Sequence, residues 1–481
     1  MQFGILFSGC SRLAIRTMAT VALLLLCSTI WAQTKIYVDV SAGGSNTGNS
    51  WGNAYTSLKD AINAASEGDE IWVAAGTYKP TTDNDPNISF SLKSGVAIYG
   101  GFVGTETSLN ERNWTNNVTI LSGDIGTIGD NTDNSNHVIY NDGVSNTAIL
   151  DGFTITKGNS IDGGGIYNSN SSPVLRNLII QDNYANRWGG GIYIFLSSPT
   201  IYNCIITGNK SNEGGGIYII NSSPTITNCI VTNNESVKGG GLCNNSFAFP
   251  TLTNCTISGN SAAYGGGVYN VDNSNSTLNN TIVWGNTANT AGQQLNNMSG
   301  TITLNNSCYG NETDDVSGIL TTNDHCITND PIFINPRNNF RLAVNSPCLD
   351  AGNNSYNDQP TDIRGDNFGR KLLKIDANIT GTIDMGAYEF KKGTDPETLE
   401  IFRLYVNANV SGGNGDGKSW ANAYKKLQDA INFASEDYEI WVAAGTYYPT
   451  NDNNRSISFN LKSGVAIYGG FAGGETLLEQ R

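Results

Sequence analysis

The chain has 481 residues, a formal net charge of −15 and only 14% charged residues. With so few lysines and arginines it has no basic stripe that could neutralise phosphate groups, which argues against nucleic acid and anionic membrane surfaces as partners. The length accommodates two or three ordinary domains or one long solenoid.

The first predicted element is a secretory signal peptide over residues 1–32. Arg12 and Arg16 precede an apolar run from Val21 to Cys27, and Ala32 supplies a small residue at the expected cleavage position. This order predicts cleavage after Ala32 and an exported protein, secreted or held at the cell surface. A transmembrane anchor and lipidation of Cys27 are the alternatives. The apolar run is too short to span a bilayer, and no later segment is long and apolar enough to do so, so no transmembrane segment is predicted after signal removal.

Residues 33–117 are predicted to form an N-terminal cap and the first coils of a solenoid. The runs at 36–38, 71–73 and 96–99 are β-branched or aromatic and predict strands. Leu58, Ala61, Ile62 and Ala65 recur at helical spacing, which predicts one amphipathic helix. Since the first coil of a solenoid exposes an unpaired edge, this helix is the expected cap.

Residues 118–335 are predicted to be the body of the solenoid, with irregular coils up to Gly158. Asp124, Asp130, Asp133 and Asn136 cluster in a glycine-broken loop of this part. Several side-chain oxygens in one loop can bind Ca²⁺. Their spacing follows no fixed ligand pattern, so an ordinary turn-rich loop is the favoured interpretation, and no other cofactor is predicted.

Regular coils are predicted over residues 159–311. Five triple-glycine blocks begin 25 or 26 residues apart, and two further rows of equivalent residues run in phase with them. A fixed period of this length is typical of stacked repeat architectures. The glycine blocks begin at Gly163, Gly189, Gly214, Gly239 and Gly265, the second row is Asn159, Asn183, Asn209, Asn234, Asn260, Asn286 and Asn311, and the third row is Leu178, Cys204, Cys229, Cys255 and Thr281.

The composition of each repeat predicts the fold class. The repeats hold short β-branched runs separated by Gly, Asn, Ser and Pro, with no 3.6-residue apolar period. Three short strands per repeat make one coil of a parallel β-helix, and neighbouring coils stack at about 4.8 Å. The prediction is an all-β parallel β-helix solenoid, with glycine where a corner needs positive φ and asparagine where side-chain amides form a ladder.

The cysteine row is predicted to point inward. Cys204, Cys229 and Cys255 occupy one position of successive coils, where small apolar side chains stack well. A disulfide between neighbouring coils is the alternative in an exported protein. The sequence has no CxxC pair and only two histidines, so no metal site of cysteine and histidine is predicted.

Four glycine blocks are followed by Ile-Tyr or Val-Tyr, and the block at Gly239 by Leu-Cys. If the aliphatic residue of each pair points inward, alternation along the strand turns the next residue outward. Tyrosine offers apolar area with a polar tip, so an outward row could stack on sugar rings or on another protein. The alternative is a structural row of rings that stiffens the sheet. The candidate ligand-binding residues are Tyr167, Tyr193, Tyr218 and Tyr269.

Charged residues on the regular coils occupy differing positions and form no cluster of the kind that a lyase or a hydrolase needs. Glu213 and Lys238 precede glycine blocks in adjacent coils and are expected to form an ion pair at the surface. No catalytic residue and no metal ligand is therefore predicted.

Residues 336–392 are predicted to close the solenoid. Asp362, Arg364, Arg370 and Asp384 lie in this part, and their pairing suggests ion pairs or turn caps that cross-link the last coils. A catalytic carboxylate pair is the alternative.

Residues 393–403 are predicted to be a polar linker, and residues 404–481 repeat the leading module at an offset of 369 positions. This last part is expected to be a truncated second copy that starts another β-helix. It is expected to be less stable than the first copy because no coils follow it.

The Gly-Gly-Gly-Ile-Tyr blocks with Asn-Cys-x-Ile-x-x-x-Asn runs resemble the right-handed parallel β-helix repeats of bacterial exported proteins, including polymorphic outer-membrane-protein repeats. Ser346 to Phe390 resembles the region termed choice-of-anchor Q, and the leading module resembles the start of pectate-lyase-like β-helices. The resemblance covers nearly all of residues 36–392 and implies the fold and export. It also implies two functions, namely polysaccharide cleavage on the outer face of the coils, or adhesion and display by a rigid scaffold.

The predicted function is a secreted or cell-surface scaffold or adhesin whose partner is a polysaccharide or another component of a cell surface. A polysaccharide lyase-type enzyme is the alternative. The regular coils over residues 159–311 contain none of the Asp-Asp or Gly-His-Gly signatures of β-helical polygalacturonases, which favours the scaffold.

Overall fold

The computed structural model describes residues 34–323, 325–365, 369–370, 383–391, 402–434, 438–450, 456–462, 465–475 and 480–481. The predicted signal peptide and most of the predicted linker lie outside the described residues. The chain divides into two compact units, the first made of Met1–Ile332 with Asn345–Lys391 and the second of Phe333–Val344 with Lys392–Arg481.

The first unit is a parallel β-helix. Each regular coil contributes one strand to sheet C, then one to sheet A and one to sheet B, and each strand pairs in parallel with its equivalent one coil away. Ile166 pairs with Ile192, for example, and Ile192 with Ile217. The predicted all-β solenoid with three short strands per coil is therefore confirmed.

The strands of each sheet follow one another in stacking order. Among the described residues, sheet A consists of Lys35–Val38, Glu70–Ala74, Ala97–Phe102, Ile149–Asp151, Val174–Arg176, Thr200–Tyr202, Thr225–Thr227, Thr251–Thr253, Ser274–Asn279, Gly300–Asn305 and Leu320–Thr322. Sheet B consists of Gly76–Tyr78, Thr119–Ser122, Thr154–Thr156, Ile179–Gln181, Ile205–Thr207, Ile230–Thr232, Thr256–Ser258, Ile282–Trp284 and Cys308–Tyr309. Sheet C consists of Ile139–Asp142, Ile166–Ser169, Ile192–Phe195, Ile217–Ile220, Leu242–Asn245, Val268–Asn270, Leu295–Asn297 and Val316–Ser317.

Shorter elements complete the first unit. Two further strand pairs are Asn159–Asp162 with Tyr184–Trp188 and Ser261–Tyr264 with Thr287–Ala291. The first three of these strands directly precede a glycine block, and Thr287–Ala291 precedes the single glycine Gly292. Short 3₁₀ turns are at Trp51–Asn53, Leu109–Glu111, Asn131–Asp133 and Asn354–Tyr356.

In the sequence, helix α1, Leu58–Ala64, follows the first strand of sheet A and precedes the second. Ser57 accepts a hydrogen bond from the Asp60 backbone N–H at 3.2 Å and so caps the N-terminus. The helix buries Leu58, Ala61 and Ile62 and packs against both strands. It ends one residue before the apolar pattern does, because Ala65 takes an extended backbone.

The interior of the coils is filled by aliphatic columns. Ile192 of sheet C, Ile201 of sheet A and Ile206 of sheet B are each fully buried, and equivalents lie above and below them. Burying such a side chain stabilises the fold by about 1.5–3 kcal/mol. The cysteine row is buried as predicted, and Cys229 Sγ donates to Thr227 O at 3.2 Å. Burial raises the pKa of the Cys229 and Cys255 thiols well above their ordinary value, so these thiols stay protonated.

The asparagine row forms a buried hydrogen-bonded ladder. Asn209 Nδ2 donates to Asn234 Oδ1 at 3.0 Å and to Ile180 O at 2.9 Å, and the Asn209 backbone N–H donates to the same Asn234 Oδ1 at 3.0 Å. The prediction that equivalent residues of successive coils stack is thus confirmed. Amide-to-amide contacts of this kind join Asn183, Asn209, Asn234, Asn260 and Asn286 in turn.

The ladder is shorter than the row in the sequence. Asn286 Nδ2 donates to Gln294 Oε1 at 2.9 Å, and Gln294 Nε2 donates to Asp315 Oδ1 at 2.9 Å. Asn311 is exposed and does not continue the ladder. At the other end, Asn159 donates to Asn131 O at 2.6 Å instead. The asparagine ladder therefore spans Asn183 to Asn286.

Each glycine block needs glycine for two separate reasons. Gly189 has a φ of +64°, which places it in the left-handed region that side chains disfavour. A Cβ on Gly190 would lie 2.7 Å from Gly215 O of the next coil. The predicted positive-φ corner is confirmed, and close stacking of coils explains the second glycine.

The closing segment, described at residues 346–365, 369–370 and 383–391, packs along one corner of the solenoid. Asn280 Nδ2 donates to Asn353 O at 3.0 Å, and Asn228 Nδ2, two coils earlier, donates to Thr361 O at 2.8 Å. Ala387 N donates to Thr256 Oγ1 at 3.1 Å. The segment therefore binds several coils together.

Buried ion pairs hold the closing segment in shape. Arg364 Nη2 lies 2.6 Å from Asp362 Oδ2, and Arg370 Nη1 lies 3.3 Å from Glu389 Oε2. Asp362, Arg370 and Glu389 are all buried. A buried charge needs such a partner because it has lost its water, and the pairs agree with the ion-pair interpretation.

The second unit repeats local features of residues 35–102. Its parallel strands are Phe402–Val406, Tyr438–Ala443 and Ala466–Phe471, with helix α2, Leu427–Phe433, after a 3₁₀ turn at Trp420–Asn422. Trp441 stacks on Phe471 at 4.4 Å, as Trp72 does on Phe102 at 4.7 Å. An antiparallel hairpin of Phe333–Asn335 and Asn339–Leu342 also belongs to this unit.

Candidate functional site

The candidate tyrosines form one column on the outer face of sheet C. Tyr167 pairs with Tyr193, Tyr193 with Tyr218, Tyr218 with Cys243, and Cys243 with Tyr269. The aliphatic residue before each of them lies in the interior core, so alternation turns the rings outward, as the sequence pattern predicts. We call this column the tyrosine stripe.

The rings of the stripe stack on one another. The ring centroids of Tyr167 and Tyr193 are 4.9 Å apart and those of Tyr193 and Tyr218 are 5.8 Å apart, with the planes within 24° and 9° of parallel. These distances follow from the spacing of coils in a parallel sheet. Stacked rings contribute about 0.5–1.5 kcal/mol per pair beyond the area that they bury.

Most of the stripe is covered. Tyr218 is fully buried, and Tyr193 and Tyr269 are 5% and 6% exposed. Trp188, which immediately precedes a glycine block, lies parallel to Tyr218 with ring centroids 5.3 Å apart. Burial raises the pKa of Tyr193 and Tyr218 above the ordinary value. A ligand could reach these ring faces only if the covering side chains moved, so their role in binding stays a prediction.

Ion pairs lie along the same covering row. Lys238 Nζ is 2.7 Å from Glu213 Oε1, which confirms the expected pair, and Arg187 Nη2 is 2.6 Å from Asp162 Oδ2. The hydrogen bond from Lys238 to Glu213 raises the pKa of the lysine. Each carboxylate is neutralised by the coil next to it, an arrangement that suits a stable surface better than proton transfer.

The open end of the stripe is at Tyr140, a residue that the sequence analysis did not select. Tyr140 pairs with Tyr167, their ring centroids are 5.1 Å apart, and Tyr140 is 38% exposed. The sequence does contain a pattern that identifies Tyr140, because the pair Ile139-Tyr140 occurs 27 positions before Ile166-Tyr167. No triple glycine precedes this pair, so it does not match the other repeats.

A depression of about 390 Å³ lies beside Tyr140. Phe90 forms part of it and is held in place because the Tyr140 backbone N–H donates to Phe90 O at 2.9 Å. Amide, hydroxyl and charged groups complete the lining. Besides Tyr140 and Phe90, the depression is lined by Lys59, Asn87, Ile88, Ser89, Ser91, Asn136 and His137.

His137 connects the depression with the stripe. Its ring lies 5.4 Å from that of Tyr140 and 5.0 Å from that of Tyr167, and its Nδ1 is 2.9 Å from Gly163 O. Burial lowers the pKa of His137, so the imidazole is neutral at pH 7. The histidine thus positions Tyr140 and Tyr167 and adds no charge to the depression.

The acidic loop considered for calcium has its carboxylates engaged in turns. Asp133 Oδ2 accepts from Thr127 N at 2.7 Å, Asp124 Oδ2 from Gly129 N at 3.1 Å, and Asp130 Oδ1 from Thr132 N at 2.9 Å. Asn136 donates to Asn87 at 3.1 Å. In the described part of the chain, no three His, Cys, Asp or Glu side chains come together as a metal site. Calcium binding in this loop stays a prediction.

No helix among the described residues is both long and apolar enough to cross a bilayer. Comparison of the sequence with known protein families finds no match, and no curated protein matches it. Among solved structures, the crystal structure of pectate lyase Pel9A is similar with a TM-score of 0.43 and 14% sequence identity, covering 75% of this chain and 97% of that chain. The parallel β-helix is assigned from the strand pairing described above.

Proposed function

We propose that this chain is a secreted or cell-surface β-helical scaffold that binds polysaccharide at the Tyr140 end of the tyrosine stripe. The observation that carries the proposal is the stacked pair Tyr140 and Tyr167, whose open end borders a depression rich in amide and hydroxyl groups. Export rests on the predicted signal peptide, and attachment to a surface rests on the resemblance of Ser346 to Phe390.

The chemistry of the depression suits a sugar. The apolar face of a sugar ring packs on an aromatic ring, and its hydroxyls exchange hydrogen bonds with amide and hydroxyl side chains. Tyr140 offers an exposed ring, while Asn87 and Ser91 lie in the same lining. Sheet C holds the ring rigidly, which reduces the entropy lost on binding.

The test is a glycan array probed with the full chain, followed by titration of the best glycan against Tyr140→Ala. We expect the dissociation constant to rise about tenfold, since losing one stacking contact costs roughly 1.4 kcal/mol. Tyr264→Ala is the matched control, because Tyr264 is 37% exposed but lies outside the depression. Equal affinity of both variants, or no glycan bound, would contradict the proposal.

The enzymatic alternative is tested in the same samples. A polysaccharide lyase releases unsaturated uronates, which absorb in the ultraviolet, whereas a binding scaffold retains its ligand unchanged. Product formation from pectate or another uronate polymer would replace the scaffold proposal with the lyase.

We propose the following architecture for this scaffold. Helix α1 covers the first coil, the part of residues 336–392 that belongs to the first unit closes the solenoid, and residues 404–481 begin a second β-helix. Capping of the first coil is supported by the contacts of helix α1 with the first two strands of sheet A, because an uncovered edge strand invites pairing with another chain.

A further inference from the structure

A second feature recurs at the corner that follows sheet C. In three successive coils the corner reads Asn170-Ser171-Ser172-Pro173, Leu196-Ser197-Ser198-Pro199 and Asn221-Ser222-Ser223-Pro224. The fourth coil reads Ser246-Phe247-Ala248-Phe249-Pro250, with one residue more. The pattern is polar, so leucine and phenylalanine are the exceptions in it.

The buried serine of each corner stabilises the turn. Ser171 N donates to Ser197 Oγ at 2.8 Å, and Ser197 N donates to Ser222 Oγ at 3.0 Å. All three of these serines are buried. The hydrogen bonds that define the corner therefore do not involve the side chains of Leu196 or Phe247.

Leu196 and Phe247 are unfavourable residues for the backbone conformation that they adopt. Their φ angles are +48° and +59°, in the left-handed region. Leu196 takes the position that Asn170 and Asn221 have in their coils, whereas Phe247 is the extra residue of the fourth corner and follows Ser246, the equivalent of Asn221. Asparagine tolerates that conformation, whereas larger apolar residues are strained in it. Both side chains are also in contact with water, with 51% of Leu196 and 56% of Phe247 exposed. Strain without burial is typical of residues kept for binding.

The apolar residues Leu196, Phe247 and Phe249 line one shallow depression of about 410 Å³. Phe249, 42% exposed, takes the place of an exposed serine, and Ser198 and Ser223 lie in the same lining. Leu196 lies in the coil before that of Asn221, and Phe247 lies in the coil after it. The structure describes all the residues that line this depression, and none of these residues has a charged side chain.

The serines Ser172, Ser198 and Ser223 form a row of hydroxyl groups along this corner. Ser172 Oγ accepts from Ser198 N at 2.9 Å, and Ser198 Oγ accepts from Ser223 N at 3.1 Å. Because each oxygen is used as an acceptor, its hydroxyl hydrogen is directed away from that backbone N–H group. Rings beside a row of hydroxyl donors, without charge, complement a neutral molecule that has both apolar faces and hydroxyl groups.

We propose that this corner is a second binding site, which takes a neutral saccharide across Leu196, Phe247 and Phe249. This corner differs from the depression at Tyr140, whose lining includes the charged side chain of Lys59. The two sites lie at different corners of the coil, so each can be removed by substitution without the other.

The experiment replaces each exposed apolar residue with a polar one, namely the asparagine that other coils use in the left-handed conformation for Leu196 and Phe247, and the serine that they use at the position of Phe249. Phe247→Asn, Leu196→Asn and Phe249→Ser are made in the full chain, and cellohexaose, mannohexaose and maltohexaose are titrated by calorimetry, with a hexamer of galacturonate as the charged probe. We expect at least one neutral hexaose to bind, with about a tenfold weaker affinity in Phe247→Asn. The urea midpoint of that variant is expected to stay equal or rise, because the strain is relieved.

Val237→Asn is the matched control, since Val237 is 46% exposed and lies outside this lining. Tyr140→Ala separates this site from the one proposed above, and it is expected to leave binding at the corner unchanged. The inference is overturned if no neutral hexaose binds, if the galacturonate binds equally well, or if Phe247→Asn lowers the urea midpoint and leaves binding intact. Self-association of the chain that Phe247→Asn abolishes, without any sugar bound, would also overturn it.

Discussion

At the scale of single residues, the buried amide of Asn209 stabilises three neighbouring coils. Its Nδ2 donates to Ile180 O and Asn234 Oδ1, and its Oδ1 accepts from the amide and the backbone N–H of Asn183. Each partner is buried where water cannot replace the lost hydrogen bond. Asparagine therefore recurs because one side chain satisfies donors and acceptors of the coils on both sides.

Replacing Asn209 with alanine should destabilise the first unit by about 2–4 kcal/mol, since an unsatisfied buried polar group costs roughly 1–3 kcal/mol and more than one is created. Asn311→Ala is the control, because Asn311 is exposed, and it should change stability by less than about 0.5 kcal/mol. The measurement is the free energy of unfolding in urea by circular dichroism. Similar losses in both variants would show that the ladder does not stabilise the solenoid.

At the scale of elements, the closing segment depends on buried charge. Arg370 is 2% exposed, pairs with Glu389, and donates to Gly386 O at 2.7 Å. The segment in turn accepts and donates hydrogen bonds along a corner of the solenoid. Loss of the arginine would leave buried carboxylates without compensation.

Arg370→Met should therefore destabilise the first unit by about 3–5 kcal/mol. Lys210→Met breaks a pair of two exposed side chains, with Glu235, and should cost less than about 1 kcal/mol. Thermal unfolding followed by calorimetry measures both. A small effect of Arg370→Met would mean that the closing segment is not coupled to the stability of the coils.

At the scale of the whole molecule, the two compact units differ greatly in core size. The first unit has one continuous core along its coils. The parallel-stranded part of the second unit has a small cluster of Leu404, Val406, Ala430, Ile431, Ala434, Ile440 and Val442. A small unit buries a smaller fraction of the surface that its unfolded chain exposes, and its folded state is therefore only marginally stable.

Calorimetry of the full chain should show two transitions, with the second unit unfolding at the lower temperature. Val406→Ala should lower only the melting temperature of the second unit, and Ile206→Ala only that of the first unit. Each side chain is fully buried in the core of its own unit. A single transition, or one that both variants shift together, would mean that the units unfold as one.

The period of the sequence was sufficient to predict the fold and most of its columns, although Asn159 and Asn311 do not join the asparagine ladder. Asn209 above Asn234 and Cys204 above Cys229 follow from spacing alone, since one coil of backbone returns each residue to the same corner. The end of the ladder at Gln294 and the open end of the stripe at Tyr140 fall outside the regular period. Predicting them required knowledge of how the irregular loops run.

What the sequence by itself determined is which residues share a column and which face of a strand they occupy, because both depend only on local periodicity. What only the tertiary structure decided is which outward residues meet water. Tyr218 and Tyr140 have the same position in their coils, yet Trp188 of a separate segment lies over Tyr218, whereas Tyr140 borders an open depression. Exposure depends on which side chains the adjacent coils and the irregular loops place over a residue, and the repeat period alone does not specify those side chains.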